Sequence, residues 1–228
     1  MNVKLVSITK SLLDEKELTP EEFNVYIARV SNSSNQLNSE TSEKLITYLV
    51  KNKHWSPFEM VDMTIEIITS RAIAQQILRH RSFSFQEFSQ RYAVATDFEP
   101  VQYRKQAGKN RQSSSEIFDP KVSIKLFDGT KMDFLATEVI GRFIEEAEEI
   151  YKALIEAGVA KECARMILPL TTQTKLYMKG SIRSWIHYFQ IRSDESTQLE
   201  HRQIAVSILQ IFQKQFPSIT KALSLTKV

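Results

Sequence analysis

One cysteine, Cys163, is all that the 228 residues contain. That excludes an intramolecular disulfide framework and any site needing several thiolate ligands, and it fits a reducing compartment. Glycine is almost as scarce, with five residues at 108, 129, 141, 158 and 180. Neither G-x-G-x-x-G nor G-x-x-x-x-G-K-S/T can be built from them, so the usual backbone cradles for nucleotide phosphates are missing. A phosphate bound here must be held largely by side chains. No apolar run approaches the roughly 18–20 residues of a membrane span. The opening MNVKLVSITK lacks an apolar signal core, so the expectation is a cytoplasmic chain with no membrane partner. Excess charge of one sign is also lacking: 30 basic against 27 acidic residues leave +3. That near-balance is no polyanion-binding signature and is as easily reconciled with a small anionic ligand.

Apolar residues make up 42% of the chain, enough for a packed core. The length predicts a single domain over 1–228 without internal repeats. Val3–Ile8 alternates apolar and polar residues and reads as a strand, as does Val61–Thr69, with Val61, Met63, Ile65 and Ile67 on one side. Pro20-Glu21-Glu22 suits a helix start, and Leu45, Ile46, Leu49 and Val50 share a second helical face. A short helix is expected over 72–78. A long one is expected over 133–157, with Phe143, Ala147, Ile150 and Tyr151 on a broad apolar face and Gly158 at its stop. Further helices are read over 159–167, 181–191 and 196–215, and a strand over 171–178. This order predicts an α+β fold, a mixed α/β arrangement with a largely antiparallel sheet flanked by long helices. Residues 104–118 begin with RKQAGKNRQSSS and read as a polar loop, either a solvated surface or a cationic lid.

The densest chemistry lies in Arg79-His80-Arg81-Ser82-Phe83-Ser84-Phe85-Gln86-Glu87-Phe88-Ser89-Gln90-Arg91-Tyr92. Guanidinium groups are planar, always charged forks that grip phosphate bidentately. Phe83 and Phe85 alternate with polar residues, as in a segment anchored on one side. Composition alone leaves open an ion-paired surface stretch, a phosphate site, or a basic nucleic-acid module that stacks bases on Phe. No cluster with metal-ligand spacing is present, so no metal is expected.

This stretch resembles the signature of flavin-dependent thymidylate synthases, R-H-R-x-x-S-x-N-E-x-S-x-R-Y. It matches at Arg79, His80, Arg81, Ser84, Glu87, Ser89, Arg91 and Tyr92 and departs at Gln86, where Asn is usual. The resemblance extends to Ala28-Arg29-Val30-Ser31, to His54-x-Ser56-Pro57-Phe58-Glu59, to Ala164-Arg165 with Leu168-Pro169, and to Arg183, Arg192-x-Asp194, Gln198 and Glu200. It implies reductive methylation of dUMP to dTMP. FAD would be the cofactor, with NADPH as reductant and methylenetetrahydrofolate as one-carbon donor. It also implies a homotetramer with shared active sites.

The resemblance assigns dUMP to Gln76, Arg79, Glu87, Ser89, Gln90, Arg91, Arg165 and Arg192. It assigns FAD to Ser31, His54, Ser56, Glu59, Arg79, His80, Arg81, Ser82, Arg183, His187 and Arg192. Arg192 would lie against the pyrimidine, and Ser89 would hydrogen-bond near the reacting ring, since an unassisted serine is a weak nucleophile. Cys163, in VAKECARMIL, reads as packing rather than nucleophile. Ser181, His187 and Ser196 stand where relatives often carry Asn, Asn and His, in the flavin or folate region. Two alternatives remain open: a related enzyme that installs another one-carbon group, such as hydroxymethyl, on a pyrimidine nucleotide, and the nucleic-acid module.

Overall fold

The computed structural model describes residues 1–14 and 16–225. In chain order the strands are β1 (Asn2–Ile8), β2 (Asp62–Ser70), β3 (Ser84–Glu87), β4 (Arg104–Gln106), β5 (Ser114–Ile117), β6 (Lys121–Lys125), β7 (Lys131–Leu135) and β8 (Gln173–Ser181). The helices are α1 (Pro20–Ala28), α2 (Ser42–Lys51), α3 (Arg71–Ile77), α4 (Ala136–Glu156), α5 (Lys161–Ala164), α6 (Ile182–Arg192), α7 (Leu199–Gln215) and α8 (Pro217–Ala222). One sheet has the order β1-β2-β8-β3, and two separate hairpins are β4-β5 and β6-β7. The β1–β2 pair and both hairpins are antiparallel. The mixed fold with antiparallel sheets flanked by helices is therefore as expected from the sequence.

Contacts divide the chain into two compact units. The first holds Met1–Ile68, Gln76–Gln86 and the chain from Lys175 on; the second holds Thr69–Gln75 and Glu87–Thr174.

In the first unit, β2 buries alternate residues. Met63, Ile65 and Ile67 are fully buried, as the period-two pattern demanded. Leu176 and Met178 of β8 are buried too, as are Ile182, Trp185, Tyr188 and Phe189 of α6. Each such side chain contributes about 1.5–3 kcal/mol by leaving water. The Trp185 indole N–H donates to the Met63 carbonyl at 3.1 Å, which fixes α6 on β2. Aromatic rings then run Trp185–Phe189–Phe212–Phe216 at centroid spacings of 6.0, 5.2 and 4.7 Å, joining α6 to α7 and to the start of α8. Thr19 caps α1: its hydroxyl accepts from the Glu22 N–H at 3.2 Å while the Glu22 carboxylate accepts from the Thr19 N–H at 2.9 Å.

In the second unit two expectations are corrected. The long helix starts at Ala136, not 133, because Lys131–Leu135 pairs residue by residue with Lys121–Lys125. Asp119 accepts from the Thr137 N–H at 2.9 Å and so caps the first turn. The polar stretch over 104–118 is not a plain loop: β4 and β5 pair across it. Of the broad apolar face of α4, Ala147 and Tyr151 are buried, but Phe143 and Ile150 remain 54% and 45% exposed.

Candidate active site

Three residues of the first unit form the best-defined constellation. His80 ends the turn after α3, and Arg192 is the last residue of α6. The Arg192 Nε–H donates to His80 Nε2 at 2.9 Å. Arginine has no acceptor, so His80 Nε2 carries no proton and the neutral ring bears it on Nδ1. Burial, then the charges of Arg192 and His187, push the His80 pKa down to about 4. Tyr188 packs edge-on against the His80 ring at 5.0 Å. The two Nη groups of Arg192 have no hydrogen-bond partner among the described residues.

Behind this pair lies an amide–imidazole chain that starts at buried Tyr188 and His201 and runs out to exposed Gln198. His201 is fully buried. Its Nδ1 lies 3.2 Å from Gln76 Oε1 and its Nε2 lies 3.1 Å from the Tyr188 hydroxyl. Gln76 Nε2 donates to Gln198 Oε1 at 2.7 Å, and Gln198 Nε2 donates to Glu200 Oε2 at 2.9 Å. Burial foremost, then Arg192 and His80, holds the His201 pKa near 3.

Four of the residues assigned to the flavin line one cavity of about 450 Å³. Glu59, Ser82, Arg183 and His187 share it with Trp55, Ser184, Ile186 and Gln190. Arg183 pairs with Glu59 there, and the Ser184 hydroxyl donates to the Ser82 carbonyl at 3.2 Å. Ser181 is the cap of α6, its hydroxyl accepting from the Ser184 N–H. The other flavin candidates stand apart. Ser31 lines a second cavity of about 460 Å³ with Arg29, Asn32, Asn35, Thr41 and Lys44. Buried Arg29 braces that cavity by donating to the Asn35 carbonyl at 3.1 Å and to the Thr41 hydroxyl at 2.7 Å. His54 is exposed and meets Tyr48 edge-on at 5.7 Å. Ser56 opens an exposed 3-10 turn, Ser56–Glu59. Arg79 and Arg81 are exposed, with no side-chain hydrogen bond or ion pair among the described residues.

The second unit holds the remaining candidates. Glu87 Oε1 accepts from the Thr174 hydroxyl at 2.9 Å and from Arg71 Nη1 at 3.2 Å, leaving Oε2 unengaged. Gln90 is 4% exposed, and its Nε2 has no partner. An orphaned buried amide donor costs about 1–3 kcal/mol. Ser89 is exposed, and its hydroxyl touches no base among the described residues. Arg91 is exposed and unpaired on the same terms. Arg165 is half-buried in a 3-10 turn, its Nε donating to the Glu162 carbonyl at 3.4 Å. Cys163 is exposed rather than packed.

Sequence reasoning missed Arg71, Tyr188 and His201. Arg71 sits eight residues before Arg79 with no pattern to single it out. Tyr188 and His201 look like ordinary members of amphipathic helices, and only the packing of α6 on α7 makes them partners.

The first unit thus carries a guanidinium fork oriented by a neutral imidazole, with no glycine-rich loop in the sequence to serve in its place. The model of the family described as thymidylate synthase complementing protein matches residues 11–218. A flavin-dependent thymidylate synthase from Synechocystis sp. is 50% identical over 225 residues, covering 98% of this chain and 99% of the relative. One from Thermus thermophilus is 34% identical over 85% of this chain and 67% of its own length. The crystal structure of a UMP/dUMP methylase, PolB from Streptomyces cacaoi, bound with 5-Br dUMP, superposes with a TM-score of 0.74 at 23% identity, covering 98% of this chain and 94% of that one. The chain belongs to the thymidylate synthase complementing protein family.

Proposed function

We propose that this chain is a flavin-dependent thymidylate synthase that converts dUMP to dTMP. Methylenetetrahydrofolate supplies the carbon and NADPH reduces bound FAD. The whole of 1–228 serves as one catalytic domain in a cytoplasmic homotetramer. The observation that carries this reading is Arg192 pinned through Nε by a neutral His80, with both Nη groups left to a ligand.

The chemistry requires uracil to become nucleophilic at carbon 5, which places negative charge on a ring carbonyl oxygen. Donors fixed beforehand stabilise that charge without reorganising during the reaction. The Nη groups of Arg192 are such donors, because His80 fixes the guanidinium plane. Around the nucleotide, Arg79 and Arg91 offer unpaired forks for the phosphate, with Arg165 as a further cation. Gln76 and Gln90 offer amide N–H groups. Glu87, braced by Arg71 and Thr174, offers Oε2 as an acceptor. Ser89 donates a hydrogen bond; with no base beside its hydroxyl it is not an activated nucleophile.

The donor set around the 450 Å³ cavity suits a flavin: Trp55 provides an aromatic wall, Ser82 and Ser184 hydroxyls, and Arg183 a cation. Glu59 and His187 line the same cavity, and Ser31, His54, Ser56, Arg79, His80 and Arg81 would complete the hold, some of them from neighbouring subunits. Bound and reduced, the flavin supplies the hydride that turns the transferred carbon into a methyl group.

The test is incubation of the purified protein with dUMP, methylenetetrahydrofolate, FAD and NADPH, followed by mass spectrometry of the nucleotide. A product of the mass of dTMP is expected. A hydroxymethylated product would replace the methylating reading. A colourless protein with salt-dependent nucleic-acid affinity and no turnover would overturn both.

A further inference from the structure

Hydrogen-bond direction along this chain, buried at Tyr188 and His201 and exposed at Gln198, follows from the chemistry of its members. Gln76 donates through Nε2 to Gln198 Oε1, so the oxygen facing His201 is an acceptor. His201 Nδ1 must then carry the proton, Nε2 must be bare, and the Tyr188 hydroxyl must donate to it. Five groups are thus ordered head to tail: Tyr188 to His201, His201 to Gln76, Gln76 to Gln198, and Gln198 to the Glu200 carboxylate. Reversing Gln198 would set its oxygen against the Glu200 carboxylate, and reversing Gln76 would set its oxygen against Gln198 Oε1, so the chain has a single sense while the Glu200 carboxylate accepts from Gln198. The consequence falls on Gln76. Its oxygen and one amide hydrogen are committed inside the protein, and one N–H remains to offer.

We infer that His201 is a positioning residue for substrate: its buried Nδ1–H locks the Gln76 amide so that the remaining Gln76 N–H is held ready for an acceptor on the uridine nucleotide. His201 touches no ligand itself. It acts through Gln76, and it also closes the back of the site by lying 6.2 Å, edge-on, from the His80 ring that orients Arg192. This rests on the reading of Gln76 as a dUMP contact. A buried, doubly hydrogen-bonded imidazole is a costly way to fill a helix position that an aliphatic side chain could occupy; fixing an amide explains why one stands there.

The experiment compares the parent, His201→Leu, His201→Asn, Gln76→Leu and the double variant His201→Leu/Gln76→Leu, all as FAD-loaded protein. Asparagine keeps an amide donor close to the place of Nδ1, whereas leucine has none. Dissociation constants for dUMP come from calorimetry, and KM and kcat from turnover. Flavin content and urea midpoints check that each variant is folded. His201→Leu is expected to weaken dUMP binding about tenfold, the size of one lost charge-assisted or strongly oriented hydrogen bond, with KM rising and kcat changing by less than about threefold. His201→Asn should recover dUMP affinity to within about threefold of the parent. In the Gln76→Leu background, His201→Leu should add almost nothing.

An undiminished dUMP affinity in His201→Leu overturns the inference. So does an equal loss in the Gln76→Leu background, or a failure of asparagine to rescue. If leucine does not yield folded protein, the asparagine variant carries the test, and a tenfold loss there refutes the inference on the same ground. A parent that binds no dUMP at all would instead sink the functional reading beneath it, which keeps the two failures apart.

Discussion

Glycine 180 stands in β8 directly beneath the ring of Phe83, and alanine at this position should damage the protein measurably. A Cβ built on Gly180 would collide with Phe83 Cδ1 and lie 2.6 Å from Cε1, both inside any permissible contact. The ring cannot simply swing away. Phe83 is 8% exposed, with Trp185 edge-on at 4.7 Å, Tyr188 at 5.9 Å and His80 at 6.4 Å. Overpacking of this kind costs about 1–3 kcal/mol. At about 2–4 °C per kcal/mol for a chain of this size, Tm should fall by about 2–12 °C. The displaced ring also presses on His80, so Gly180→Ala should weaken flavin and dUMP binding together.

Urea unfolding at fixed protein concentration is the assay, because assembly and ligand both shift apparent stability. The decisive comparison is the double variant. Phe83→Leu alone leaves space and destabilises; with Gly180→Ala beside it, the new methyl occupies part of that space. The double variant should therefore be more stable than the sum of the single effects by at least about 0.5 kcal/mol, the limit beyond which independent sites no longer simply add. A Gly180→Ala protein indistinguishable from the parent, or strict additivity with Phe83→Leu, would refute the reasoning.

Arg91→Ala should leave the urea midpoint unchanged, since the side chain has no partner among the described residues. It should weaken dUMP binding by about 1.5–3 kcal/mol, the worth of a charged hydrogen bond; calorimetry showing parental affinity would remove Arg91 from the site. Ser89→Ala should retain turnover, and complete loss with intact dUMP binding would reopen the question of a serine nucleophile. Acid should destabilise the fold through its buried histidines. His80 and His201 have folded pKa values of about 4 and 3 against an ordinary 6.5. Above 6.5 both states are neutral and the packing contribution is fully present. As pH falls from 6.5 toward 4 and then 3, the unfolded chain takes up protons that the folded chain refuses, and stability is lost. The urea midpoint should drop between pH 7 and pH 5, and less steeply in His201→Asn; equal slopes would contradict this.

How far the sequence reveals such features depends on how local their causes are. The β2 strand was legible because Met63, Ile65 and Ile67 announce their shared face through spacing alone. The β6–β7 hairpin carries an equally local sign. Asp128-Gly129 lies between alternating Val122/Ile124 and Met132/Phe134, and Gly129 takes φ +89° while Asp128 accepts from the Thr130 N–H at 2.9 Å. The apolar spacing continues from Phe134 into Phe143 and Tyr151, so strand and helix read as one element although the helix begins only at Ala136.

The candidate site divides in the same way. Arg79 to Tyr92 is contiguous, and its resemblance to a signature singles out the arginines from sequence alone. What the signature cannot convey is the state of its members. That His80 is an acceptor follows from an Arg192 that lies 112 residues away in sequence. That Gln76 points its oxygen toward His201 follows from its donation to Gln198, 122 residues away in sequence. A motif names the donors available to a ligand, but direction is imposed by partners brought in from other helices. The chemistry proposed here needs direction, because a guanidinium free to rotate, or an amide free to flip, spends on reorganisation what a fixed donor delivers to the developing charge. Selection for catalysis should therefore act on Tyr188 and His201 as firmly as on the arginines of the signature.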